Sequence, residues 1–150
     1  MVRNPLALIR ILATAAVLAL AQPAAAVDWQ PFPGEPMDTS ALLKGAITDL
    51  YGNLLARTPN FTLSADEAEG IANVILGKVP RPSAIPVEGN RYTITGSEPK
   101  GLYARAGNIA MVVTMTDETV VFGVYDASIP GARAMQSVKD IASVLRSLGH

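Results

Sequence analysis

The sequence predicts a single α+β domain, an antiparallel β-meander with helices packed on it. Three observations carry this. Two apolar strands, IAMVVTMT (109–116) and TVVFGVYD (119–126), flank a tight polar turn at Asp117-Glu118. A Pro-Gly step at Pro130-Gly131 follows almost at once and opens an amphipathic segment that runs nearly to the C-terminus. Upstream, further short strands are joined by short turns, which makes neighbouring strands antiparallel. A hairpin followed directly by a helix lays that helix back across the sheet.

The chain of 150 residues opens on a segment different in kind from the rest. MVRNP carries a positive charge, LALIRILATAAVLALA is apolar, and AQPAAA ends in small residues. This is the three-part layout of a secretory leader, with cleavage expected after Ala26. The uninterrupted apolar run, Ile11 to Ala21, is well short of the roughly 20 residues that span a bilayer. The alternatives are an uncleaved anchor and a misassigned start. Loss of Arg3 and Arg10 with the leader would take the formal charge from −1 to −3.

Residues 27–43, VDWQPFPGEPMDTSALL, form a Pro-rich lead-in. Pro31, Pro33 and Pro36 oppose a continuous helix there, since an interior proline costs about 3 kcal/mol. Lys44–Tyr51 reads as a strand, Gly52-Asn53 as a turn and Leu54–Arg57 as a short return strand. Ser64-Ala65-Asp66-Glu67 fits a capping box, and the helix it opens runs to about Leu76, with Gly77 as its stop. Asp66, Glu67 and Glu69 suit the positive end of the helix dipole better than a catalytic cluster. Lys78–Pro86 reads as a proline-broken loop. Strands are expected at about 91–95, 102–106, 109–116 and 119–126. In the last segment Met135, Val138, Ile141, Ala142, Leu145 and Leu148 recur at helical spacing, which predicts a helix over 131–148 with one packing face. Pro130 suits its entrance and Gly149 its exit.

The composition excludes several classes of function. With no cysteine and a single histidine at His150, there is neither a disulfide framework nor a thiol nucleophile. Metal-ligand spacings such as HExxH and CxxC are absent, as is a phosphate-binding Gly loop. An enzyme is therefore not expected, and no cofactor is implied. Charge near balance argues against nucleic acid as a partner. Asn60-Phe61-Thr62 fits a glycosylation acceptor, which matters only in a eukaryotic secretory route.

The ordered series of elements resembles the profilin family. TMTDETVVFGVYD (114–126) and IPGARAMQSVKDIASVLRSLGH (129–150) are similar to the family's C-terminal hairpin and helix. GNRYTITGSEPKGLYARAG (89–107) resembles its central strand, Glu-Pro turn and next strand. KGAITDLYGNLLA (44–56) resembles its first hairpin, and FTLSADEAEGIAN (61–73) its second helix. The resemblance covers 44–150 well and 27–43 poorly. It implies N- and C-terminal helices packed on the sheet, a monomer, and two binding surfaces.

One implied surface grips monomeric actin. The matching positions are Arg105, Gly131 at the helix entrance and Asp140, with Lys139 beside them; taken singly, Lys139 and Arg146 read as solvated helix residues. Thr114 and Met115 stand where many members carry a basic pair, and loss of interface charge slows association more than it abolishes binding. The other surface holds proline-rich peptide, whose rings and bare carbonyls need flat aromatic walls and donors. Trp29 and Phe32 match the family's N-terminal aromatics. Leu55 stands where a second Trp is common, Val144 where Tyr or His is, and His150 where many members end in Tyr. A weakened proline-peptide site is thus expected. The alternative for Trp29 is a core residue packed on the sheet. The family's phosphoinositide contacts need basic patches, in which this chain is poor.

The leading expectation is an actin-monomer-binding protein that modulates actin assembly. A rival is an exported module that keeps the scaffold for a different ligand, because fold does not fix function. A third is a small-molecule sensor, which would need an enclosed apolar cavity. A functional leader would place the protein outside the cytoplasm, secreted or periplasmic. A misassigned start would place it in the cytoplasm with the cytoskeleton.

Overall fold

A computed structural model describes residues 41–149, and the apolar strand at 119–126 lies near the middle of its sheet. In chain order the elements are β1 (Lys44–Asp49), β2 (Leu54–Arg57), α1 (Ala65–Ile75), β3 (Ala84–Val87) and β4 (Asn90–Glu98). There follow β5 (Gly101–Ala106), β6 (Ile109–Met115), β7 (Thr119–Asp126) and α2 (Gly131–Ser147). The strands form one seven-stranded sheet ordered β2-β1-β7-β6-β5-β4-β3, antiparallel at every pairing. The expected α+β meander is present from β3 to β7. The first hairpin closes against its far end, with Ile47 opposite Val121.

Strict alternation splits the apolar residues between two faces. Phe122 and Val124 of β7, with Met111, Val113 and Met115 of β6, point to the layer that contains Phe61, Tyr92 and the Ala68, Ile71 and Ala72 face of α1. Val121 and Tyr125, with Ala110 and Val112, point to the layer that contains Met135, Val138, Ile141 and Leu145 of α2. The two helices therefore cover opposite faces. Because both faces are covered, β7 reads as a nearly continuous apolar run. Each large side chain sealed in this way contributes about 1.5–3 kcal/mol relative to exposure. Gly123 interrupts β7 where α2 presses closest. A Cβ there would lie 2.8 Å from Val138 Cγ1 and 2.9 Å from Leu42 Cδ2.

The capping box forms as the sequence predicts. Ser64 Oγ accepts from the Glu67 N–H at 3.1 Å, and Glu67 Oε1 accepts from the Ser64 N–H at 3.0 Å. Gly77, with φ at 75°, ends the helix. The stretch read as a proline-broken loop up to Pro86 instead includes β3. Pro86 is tolerated because β3 is an edge strand, where a missing N–H need not face a neighbour. The β3–β4 turn is Glu88-Gly89, both with positive φ (54° and 78°), the backbone of a type I′ hairpin. The strand expected at 91–95 is also longer, spanning Asn90–Glu98 with a register shift between Ile94 and Gly96.

Candidate functional site

The α2 side of the sheet carries the candidate surface. Gly131 opens α2 directly above two tyrosines. A Cβ on it would sit 3.0 Å from the Tyr125 hydroxyl and 3.5 Å from the Tyr103 ring. A side chain here would have to push the Tyr125 hydroxyl aside by a few tenths of an ångström, so glycine lets the helix entrance lie low on β5 and β7. Arg105 projects from β5, opposite Ala110 of β6, and its Nε donates to the Gly107 carbonyl at 2.9 Å. Arg105 and Gly131 line one open groove, together with Thr95, Tyr125, Ser128 and Pro130.

Lys139 and Asp140 line a second open groove more than two turns further along α2, with Glu98, Lys100, Thr114 and Arg146. Lys139 Nζ pairs with Glu98 Oε1 at 2.8 Å, tying the helix to the end of β4. The other Glu98 oxygen accepts from the Tyr103 hydroxyl at 3.0 Å. The Lys139 hydrogen bond, helped by Tyr103, holds the Glu98 carboxyl below its ordinary pKa. Burial, reinforced by this anionic neighbour, pushes the Tyr103 phenol up. Asp140 Oδ1 accepts from Gln136 Nε2 at 2.8 Å, one helical turn back. Arg146 reaches across to the Met115 carbonyl at 3.1 Å, and Lys100 pairs with Asp117 at 3.1 Å. Sequence reasoning read Lys139 and Arg146 singly as solvated helix residues; each instead has a partner on the sheet. Neither groove is enclosed.

The four residues assigned to an actin surface thus lie on one face of the molecule, split between two neighbouring grooves. Glu98 and Tyr103 were missed, although the Glu-Pro turn at 98–99 had been identified. Thr114 and Met115 do not form a surface pair. Thr114 borders the second groove, whereas Met115 is 2% exposed in the α1-side core. Strand alternation forbids both from facing one partner. Of the residues matched to a proline-peptide surface, Val144 is half-buried on α2 and Leu55 is 49% exposed on β2. Trp29, Phe32 and His150 lie outside the described residues, as do the segment expected to be a leader and most of the Pro-rich lead-in. Among the described residues, no group of His, Cys, Asp and Glu could hold a metal ion.

Comparison with known proteins places this geometry. The family model for Profilin matches residues 28–150. A curated relative, profilin-1A of Acanthamoeba castellanii, is 23% identical over 125 residues, covering 82% of this chain and 99% of the relative. The solved structure of Acanthamoeba castellanii profilin IA superposes with a TM-score of 0.67 at 24% identity, covering 75% of this chain and 90% of that one. A LokiProfilin2 solved in complex with rabbit actin superposes at 0.63 with 14% identity, covering 73% and 87%. Mouse profilin IIa, solved with a double repeat from the FH1 domain of mDia1, superposes at 0.61 with 13% identity, covering 76% and 93%.

Proposed function

This chain belongs to the profilin family, and we propose that it binds monomeric actin and so modulates actin assembly. The observation that carries the reading is the family match across 28–150, joined to a face on which Arg105, Gly131, Lys139 and Asp140 all lie. A structural neighbour solved with actin supports it. The face suits a protein partner in physical terms. It is open, and polar and charged side chains line both grooves. This is the chemistry of a binding module rather than a catalyst. The test is assembly of purified actin monomers with increasing amounts of the protein. A concentration-dependent slowing is expected; no effect at tens of micromolar, the range of weak specific binding, would sink the reading.

A second surface is proposed for proline-rich peptides, supported by the neighbour solved with an FH1 repeat. Trp29 and Phe32 supply its aromatic walls. Leu55, Val144 and His150 make it weaker than a groove walled by Trp and Tyr, because aliphatic side chains and a smaller ring stack less well on proline rings. Trp29 is the only tryptophan, so its fluorescence reports directly. A spectrum unmoved by added polyproline would argue that the groove is lost.

The leader at 1–26 supports export, with a mature chain beginning at Val27. N-terminal sequencing of the protein from its native cells decides this; recovery of intact Met1 protein from the cytosol would count against cleavage.

A further inference from the structure

A half-exposed cation on the second groove is already engaged. Lys139 donates to Glu98 at 2.8 Å, and Glu98 uses its remaining oxygen for the Tyr103 hydroxyl. The side chains of Lys139 and Glu98 are 45% and 31% exposed, so the pair sits where a docking surface would meet it. The neighbouring acid, Asp140, is occupied by Gln136, a neutral donor. Arg146 is bound to the Met115 carbonyl. The charged side chains of the groove therefore each have a partner, and Lys139 and Glu98 are the acid and base that pair with each other within it.

We propose that Glu98 is a built-in competitor for Lys139, which an acidic group on the partner must displace before Lys139 can serve the interface. The proposal rests on the actin reading above and names what tunes affinity at that site. The physical reason is electrostatic. The Glu98 carboxylate neutralises the Lys139 ammonium and repels a second carboxylate brought up to it, so the remaining N–H donors of Lys139 attract that group less than those of a free lysine would. Glu98 can withdraw, because it keeps the Tyr103 hydrogen bond when Lys139 leaves. A half-exposed pair is weakly held, so the exchange tunes binding and does not block it. The charge in play also affects encounter rate more than bound-state contacts.

Four proteins test this: wild type, Glu98→Gln, Lys139→Ala and the double variant, each titrated against monomeric actin at two salt concentrations. Glutamine keeps an acceptor for Tyr103 and removes the competing charge. Glu98→Gln is expected to bind about two- to five-fold tighter than wild type, with faster association and a steeper salt dependence. The gain should shrink when Lys139 is absent, which a general loss of negative charge would not produce. Wild-type binding with no gain in Glu98→Gln, or an equal gain in both backgrounds, overturns the masking proposal and leaves the actin reading standing. Absence of binding by all four proteins overturns both.

Discussion

The backbone N–H of Glu88 donates to Oε1 of Glu67 across 3.0 Å, joining the first turn of α1 to the tip of the β3–β4 hairpin. The Gly89 N–H adds a second bond, to Glu67 Oε2 at 3.1 Å. Glu88 extends the link with its own side chain, which pairs with Lys44 of β1 and accepts from the Thr62 N–H and hydroxyl, each at 2.9 Å. Two glutamates thus strap a helix, a hairpin, a loop and a strand together.

This strap makes stability depend on pH. Burial acts to raise the pKa of both carboxyls. For Glu67 the bonds from the Ser64, Gly89 and Glu88 N–H groups outweigh it, and for Glu88 those from Lys44 and Thr62 do. Both therefore titrate below their ordinary 4.5 in the folded state. A depressed carboxyl pKa gives stability that is full above the unfolded value and is lost as pH falls through the folded one. Urea midpoints should hold steady above about pH 5 and fall steeply below the ordinary carboxylate range. A Glu67→Gln/Glu88→Gln variant should be less stable at neutral pH and lose part of that steepness. An unchanged slope would show that the strap does not drive the acid transition.

Ser64→Ala removes one half of the capping box and leaves the Glu67 N–H without its acceptor. A loss of about 1 kcal/mol is expected from chemical denaturation. Ser64→Asp, which restores an acceptor, should recover most of it.

Gly123→Ala places a methyl group against Val138 and Leu42. The Leu42 δ-methyls can turn aside, but the short branched side chain of Val138 can withdraw only with α2, so about 1–3 kcal/mol should be lost. A melting temperature equal to wild type would show that α2 is held less closely than the contact distances imply.

Tyr92 is fully buried, and its hydroxyl has no hydrogen-bond partner among the described residues. Tyr92→Phe removes that orphaned group and keeps the ring, so the variant should be as stable as wild type or more stable by about 1 kcal/mol. A clear loss of stability would reveal a partner for the phenol.

The sequence made some elements plain and concealed others for identifiable reasons. The Ser64–Glu67 spacing and the Met135-to-Leu145 stripe are local signals, and both were readable; Leu148, counted in that stripe, is instead 56% exposed at the C-cap, past the last packed turn. The β3–β4 hairpin was hidden because Glu88 stands where a type I′ turn favours Asn, Asp or Gly. Its left-handed backbone is sustained by contacts to Lys44, Thr62 and Glu67, which are distant in sequence. The β1–β7 pairing was hidden because nothing local reports a partner more than seventy positions away. At the candidate site, Gly131, Lys139 and Asp140 could be placed on one helix from spacing and resemblance. The roles of Glu98 and Tyr103 emerge only when β4, β5 and α2 meet.

The most direct measurement of the central claim is calorimetric titration of the purified protein into monomeric actin. Saturable one-to-one binding with a Kd below about 50 µM is predicted, weakened by a bulky Gly131→Leu substitution on the same face. Absence of heat and of saturation up to about 100 µM, with the protein cooperatively folded, would contradict the assignment of this chain as an actin-monomer-binding protein.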